Sequence, residues 1–233
     1  MFPKAFLIGS IGVIAETSDI QRRAYNQALK EAGLDWHWDV ELYKTLLKQN
    51  GGRDRLHCLS IDKDAGLSED DILRIHARKT DIACEEIVTN GVPLRSGVSD
   101  LIALAKSRNS KLAFVTTTYR QNINAIAEGA YPSLNLCDFD AIMTTDDVQE
   151  TKPHPEVYLK ALKALQLTAG ECLAIEDSET SLRSAKQAGL KTIVTPGRFT
   201  QDQDFSLADG MYPSLSDWHI ELLKPLADEI VTV

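Results

Sequence analysis

The sequence lacks the patterns that mark secreted, metal-clustering or membrane-spanning chains. Its 233 residues hold four cysteines, Cys58, Cys84, Cys137 and Cys172, with no CxxC pair and no metal-ligand spacing. Scattered thiols in a chain this long read as a reducing compartment and buried small hydrophobes, not a disulfide framework. No apolar run approaches the roughly 20 residues that cross a bilayer, which argues against a membrane role. The opening "MFPKAFLIGSIGVIAETSD" has no basic stretch followed by a long apolar run and a small-residue cleavage site. A cytoplasmic location is expected, unless a targeting segment has been removed. Basic excess is missing too: the net charge is −9 and the pI about 5.1. Such a surface repels polyphosphate backbones and excludes broad nucleic-acid binding, although a local basic pocket can still take a small anion. No internal repeat or low-complexity segment is visible.

What is present fits a soluble globular protein, with 43% hydrophobic and 25% charged residues. The length suits one large domain or a core with a smaller insertion. "AFLIGSIG" begins as an apolar strand and runs into a glycine-containing turn. Ser18 to Gly33 then reads as a helix, capped by Thr17 or Ser18, with Ala24, Ala28 and Leu29 at helical spacing. A second helix, a Gly51-Gly52 break and a third helix follow. Ser68 is a plausible N-cap for the segment that ends near Gly91. Residues 17–88 carry no strand signal.

Beyond Gly91 the pattern changes. The helix "SGVSDLIALAKSRNS" precedes the strand "KLAFVTTT", and "QNINAIAEGA" precedes "FDAIMTT". The helix "HPEVYLKALKALQL" leads to the strand "CLAIEDS", and "ETSLRSAKQAGL" to "KTIVTP". Such alternation predicts a parallel sheet with right-handed crossovers. The expected architecture is a doubly wound, Rossmann-like α/β core from residues 1–16 and 89–233, with a helical cap over 17–88 inserted after the first strand.

In open α/β sheets, ligands bind beyond the carboxyl ends of the strands. Three segments bring polar groups there: Thr116-Thr117-Thr118, Lys152 in "ETKPHPEVY", and Glu176-Asp177-Ser178. Each also has an ordinary reading. The threonines can cap a helix, although Thr118 opening the next helix would aim backbone N–H groups at an anion. Lys152 can be a solvated loop lysine, but its flanking prolines would fix its aim. The two acids can simply favour a helix dipole, yet ending an apolar strand they are also placed to hold Mg²⁺. In the cap, Gly51-Gly52 could let backbone approach a ligand, and Arg53 and Arg55 could meet a second phosphate; a plain helix break with solvated charges is the alternative. Trp36 and Trp38 are expected in packing, and Arg22 and Arg23 on a solvated helix face.

Taken in order, strand-turn, helical insertion, strand-Thr, Lys-Pro-x-Pro and strand-Glu-Asp resemble the haloacid dehalogenase (HAD) superfamily, in its branch close to β-phosphoglucomutase. "DWHWDVELYKTLLKQNGGRDRL", "TTTYRQN", "TKPHP" and "EDSETSLRSAKQAGLKTIVTPG" further resemble the xylulose-bisphosphate phosphatase subgroup. The resemblance spans nearly the whole chain. It implies a HAD-like fold and phosphoryl transfer. In that chemistry a first-strand aspartate forms an aspartyl-phosphate, a second aspartate two residues on is acid and base, and Mg²⁺, a hydroxyl and a lysine neutralise the phosphoryl oxygens. By position the resemblance assigns the hydroxyl to Thr116 with Thr117 beside it, the lysine to Lys152, and the metal acids to Glu176 and Asp177.

The motif departs where it matters. The family's Asp-x-Asp-Gly falls on "GSIG", so Gly9 stands at the nucleophile and Ile11 at the acid/base. Gly12 keeps the turn glycine, Glu16 and Thr17 match the start of the cap, and Gln21 stands where this subgroup commonly has histidine. Glycine cannot form an acyl phosphate, and isoleucine cannot transfer a proton. If the strand pleat continued, Ser10 would point away from the site. Three functions follow as expectations. The preferred one is a non-catalytic protein binding a small phosphorylated ligand or a protein partner, with Mg²⁺ absent or weak. A sugar-phosphate phosphatase using Ser10, or a water held by Glu176 and Asp177, is the second. An interaction protein whose cap surface binds a macromolecule is the third.

Overall fold

A computed structural model describes residues 2–48 and 51–218. The part of the expected core beyond residue 218 lies outside the described residues, as do Gln49 and Asn50 of the cap motif.

Six parallel strands form one sheet in the order β3-β2-β1-β4-β5-β6. They are β1 (Ala5–Ile8), β2 (Lys111–Val115), β3 (Ala141–Met143), β4 (Cys172–Glu176), β5 (Lys191–Val194) and β6 (Gly210–Met211). β1 is central, pairing Ile8 with Phe114 of β2 and with Ile175 of β4. A strand covered on both faces needs no polar alternation, hence the unbroken "AFLI". Phe6 and Ile8 pack in one cluster with α5 (Val98–Ser107) and α6 (Arg120–Gly129). Ala5 and Leu7 face the other way, towards α7 (Glu156–Leu165) and α8 (Glu179–Gln187). The sheet is therefore doubly wound, as the alternation predicts.

Between β1 and β2 the chain first runs through α1 (Ser18–Glu31), α2 (Val40–Leu46), α3 (Gly52–Asp62) and α4 (Glu69–Asn90). These helices enclose a third apolar cluster around Tyr25, Trp38 and Leu56, which Phe199 from the loop after β5 joins. Trp38 is fully buried and stacks on Tyr25 at 4.2 Å between ring centroids. α4 links the two regions: Ile72 and Ile75 enter the helical cluster, while Cys84 and Ile87 enter the sheet-side one. Ser68 caps α4 through a reciprocal box with Asp71, as the sequence suggests. Among the described residues, no helix is long and apolar enough to cross a membrane.

Several local expectations are corrected. Thr17 does not cap α1 with its side chain, and its hydroxyl is buried without a partner; Glu16 Oε1 instead accepts from Ser18 N at 3.2 Å. α6 starts at Arg120, not Thr118, and the Arg120 N–H already donates to Asp146 Oδ2 at 3.2 Å. Cys137 is exposed and Cys58 half-buried, so only Cys84 and Cys172 are buried thiols. Arg22 is half-buried, bonded to Asp19 and to the Trp38 carbonyl, whereas Arg23 remains exposed. The two-residue β6 was not anticipated; it is too short to leave a periodic signal.

Candidate functional site

A cleft of about 400 Å³ opens between the carboxyl ends of the strands and the helices α1, α3 and α4. Its lining brings together Gly9, Ile11, Thr116, Thr117, Lys152, Glu176 and Asp177 from the sheet side with Gln21, Arg53 and Arg55 from the helices. Glu16 lies outside that lining. Its Oε2 accepts from Arg198 N at 2.8 Å, which ties the start of the helical insertion to the loop after β5.

The floor is set by strand register. β1 and β4 run side by side, and Gly9 N donates to the Ile175 carbonyl at 3.0 Å. Gly9 therefore leaves β1 beside Glu176. A Cβ placed on Gly9 would lie 2.5 Å from Glu176 Oε2 and 3.0 Å from Val13 Cγ2. The space that a side chain on Gly9 would enter is thus filled by the Glu176 carboxylate.

That carboxylate is held through its other oxygen. Lys152 Nζ donates to Glu176 Oε1 at 2.6 Å and to the Val115 carbonyl at 2.9 Å. The Tyr158 hydroxyl, one turn into α7, donates to the same Oε1. Glu176 is 1% exposed and Lys152 5%. Lys152 is accordingly a buried ion-pair partner and not a solvated loop lysine. Burial first, and then the Glu176 charge, raises the Tyr158 hydroxyl well above its ordinary value. Asp177 is buried as well. Burial, followed by the Glu176 and Glu16 charges, pushes its carboxyl up to about 8. A Cβ on Gly12 would fall within 2.0 Å of Asp177 Oδ2, and the φ of Gly12 is +78°, so this turn requires glycine on both counts.

Ser10 differs from expectation. β1 ends at Ile8, so the strand pleat does not govern the next side chains. The Ser10 hydroxyl turns into the site, 2.8 Å from Thr116 Oγ1. Thr116 Oγ1 also accepts from Thr118 N at 3.2 Å, which folds the threonine run back on itself. Ile11 is half-buried and rests on the sheet-side core while lining the cleft. Behind the turn, Arg95 donates to the Gly12 carbonyl, to the Thr195 carbonyl at 2.8 Å and to the Pro196 carbonyl at 2.9 Å. Its guanidinium fork clamps the loops after β1 and β5 together.

The roof is cationic. Arg55 Nε donates to the Leu46 carbonyl at 3.0 Å, and Arg53 is exposed at the rim. Lys79 and His76, three residues apart on α4, face the same cleft. Burial, then Lys79, Arg53 and Arg55, drives His76 down to about 3, so it is neutral. Tyr25, Tyr43 and Asn122 complete the wall, and burial pushes the Tyr43 hydroxyl up to about 12. Gln21 is 3% exposed; its Nε2 donates to Asn122 Oδ1 at 3.3 Å and its Oε1 is buried without a partner. Gly52 is close-packed, since a Cβ there would lie 2.2 Å from the Tyr25 hydroxyl and 2.3 Å from His76 Nε2.

Sequence reasoning missed Lys79, His76, Tyr25, Tyr158 and Arg95. The helical spacing of His76 and Lys79 was readable, but which face of α4 meets the cleft depends on packing against α1 and α3.

Comparison with known proteins agrees with this architecture. "Protein CbbY" of Rhodobacter capsulatus is 39% identical over 91% of this chain and 94% of its own length. "Protein CbbY" of Cereibacter sphaeroides is 36% identical over 92% and 93%. The crystal structure of CbbY from Rhodobacter sphaeroides in complex with phosphate superposes with a TM-score of 0.86 at 36% identity, covering 93% of this chain and 96% of that one. A mutant of that CbbY in complex with xylulose-(1,5)bisphosphate gives 0.85 at 35% identity, with the same coverage. β-Phosphoglucomutase from Clostridium difficile, 18% identical with a TM-score of 0.78 over the whole of both chains, shares the fold. The sequence model of haloacid dehalogenase-like hydrolases matches residues 3–189. This chain belongs to the haloacid dehalogenase-like hydrolase family.

Proposed function

We propose that this CbbY-like protein binds a small phosphorylated ligand in its cleft without transferring the phosphoryl group. One observation carries the reading: the space beside Gly9 is filled by the Glu176 carboxylate, which takes the charge of Lys152. The chain lacks a carboxylate on β1 that could accept phosphorus, and the lysine that would balance such a group is already paired within the fold. Losing the nucleophile of a cooperating catalytic set can cost on the order of a millionfold in turnover.

Members of the family use Mg²⁺, and the residues here fit that ion poorly. Mg²⁺ needs near-octahedral oxygen ligands, commonly one or two carboxylates with waters and substrate oxygens. Glu176 Oε1 instead accepts from Lys152 and Tyr158, and the surroundings of Asp177 favour its neutral carboxyl. Gly9 and Ile11 add no carboxylate.

The ligand class rests on the two ends of the cleft. Arg53, Arg55 and Lys79 offer positive charge in the roof, and Ser10, Thr116 and Thr117 offer hydroxyls on the floor. An anion entering the floor must compete with Glu176 for Lys152. A sugar bearing phosphate at one or both ends suits this polarity, and a CbbY relative has been crystallised with xylulose-(1,5)bisphosphate. Calorimetry with inorganic phosphate, a sugar monophosphate and a sugar bisphosphate, without Mg²⁺, tests the proposal. Binding that strengthens from mono- to bisphosphate supports it, and no heat at millimolar ligand contradicts it.

A second reading has its own observation. Because the Ser10 hydroxyl lies in the cleft against Thr116, an oxygen nucleophile is present where the pleat argument expected none. Intact-mass detection of phosphate on Ser10 after incubation with a sugar phosphate would favour slow phosphatase activity by that route.

A further inference from the structure

We propose that Lys79 is a carbonyl-reactive amine, positioned to form an imine with a small phosphorylated aldehyde or ketone held in the cleft. The phosphorylated class rests on the binding proposal above; the amine's reactivity does not.

Lys79 sits in the middle of α4, 7% exposed, yet it lines the cleft. Its Nζ stands 4.7 Å from the centre of the Tyr25 ring. Among the described residues no carboxylate lies within ion-pair distance of it. The groups acting on it are cationic, neutral or weakly acidic: Arg55 from α3, His76 and Cys84 on its own helix, and Tyr25 from α1. A buried ammonium normally finds an acid, because an unpaired charge inside a protein is costly. Here the cost falls on the charged form. Burial, with Arg55 adding to it, brings the amine down to about 7, while the Cys84 thiol is itself pushed up to about 11 and supplies little compensating charge. A large share of Lys79 is thus the free amine near neutral pH, the form that attacks carbonyl carbon.

The surroundings suit such a ligand. Gln21 Oε1 is buried without a partner in the same cleft, so a polar group there remains to be satisfied. Arg53 and Arg55 would draw an anion to the same side. In the step itself, the Nζ lone pair forms a C–N bond as the carbonyl π bond breaks, and the oxygen takes a proton to give a carbinolamine. Loss of that hydroxyl with the remaining N–H proton gives the imine and one water. Nothing is oxidised or reduced.

Trapping tests this directly. The full chain is incubated with pyridoxal 5′-phosphate, an aldehyde carrying a phosphate, and in parallel with pyridoxal; borohydride then supplies the hydride that fixes any imine as a secondary amine. Peptide mapping by mass spectrometry locates the label. The expected result is at least tenfold faster labelling of Lys79 than of the exposed Lys30 and Lys160. It should be faster with the phosphorylated aldehyde, suppressed by inorganic phosphate, and rise with pH between 6 and 8. Lys79→Met and Lys79→Arg should lose this label and keep that on Lys30. Labelling of Lys79 no faster than of Lys30 overturns the proposal, even if calorimetry finds phosphate binding. Equal labelling by both aldehydes would uphold the amine and overturn the phosphorylated class.

Discussion

Lys152 Nζ and Glu176 Oε1 lie 2.6 Å apart in an almost fully buried ion pair, while the other oxygen, Oε2, fills the space beside the bare backbone of Gly9. The pair leaves the buried Lys152 charge compensated although β1 ends without a carboxylate. Buried pairs add little net stability, but removing one partner is costly because the other charge is stranded.

Glu176→Gln therefore should destabilise the protein by about 3–5 kcal/mol in urea unfolding. The same substitution frees Lys152, so phosphate should bind more tightly than to the wild type, by tenfold or more, in calorimetry. Unchanged affinity would mean that Glu176 does not compete with anions.

The glycine at position 52 is held by contact rather than by backbone torsion. In Gly52→Ala the new methyl must displace the Tyr25 hydroxyl or His76, both walled in by the aromatic cluster. A loss of about 1–3 kcal/mol is expected, with weaker binding of sugar phosphates than in the wild type. Thermal unfolding and calorimetry check both.

Two groups contribute stability that climbs with pH, while Asp177, pushed up to about 8 in the fold, contributes the opposite slope between about 4 and 8. His76 stays neutral in the fold down to about 3 but takes a proton near 6.5 when unfolded, so its contribution is lost as pH falls from 6.5 towards 3. Lys79 releases its proton near 7 in the fold and near 10.5 when unfolded, so its own contribution rises from pH 7 to 10.5. In Lys79→Met that upper slope should vanish, and at pH 6 the variant should be more stable by roughly 2–4 kcal/mol. Urea midpoints measured from pH 5 to 10 give the comparison.

Thr17 offers a simpler case. Its buried hydroxyl has no partner, so Thr17→Val removes a desolvated polar group at little change in volume. A neutral to stabilising change, up to about 1 kcal/mol, is expected in thermal unfolding.

Much of the scaffold was legible in local pattern. The alternation beyond Gly91 marks β2 to β5, "AFLI" marks the central strand, and Ser68 marks the start of α4. Lys152, Thr116, Glu176 and Asp177 meet in one cleft because each ends or follows a strand, and strand ends converge in such folds. What the sequence hid depends on long-range contact. That Glu176 turns towards Gly9, that Ser10 escapes the pleat, and that Lys79 has no acid beside it are facts of packing between segments up to 167 residues apart. Sequence spacing carries no trace of them. Even Thr118 misled, because Arg120 N found Asp146 and the helix began later.

On the proposed reading, Gly9 leaves the site unable to take up phosphorus. Its most direct test compares the wild type with Gly9→Asp/Ile11→Asp for turnover of sugar phosphates with Mg²⁺, while monitoring acyl-phosphate formation. Turnover and a phosphorylated intermediate are expected only in the restored protein, where the new aspartate displaces the Glu176 carboxylate and draws on Lys152. Equal, substantial turnover by both proteins would contradict it.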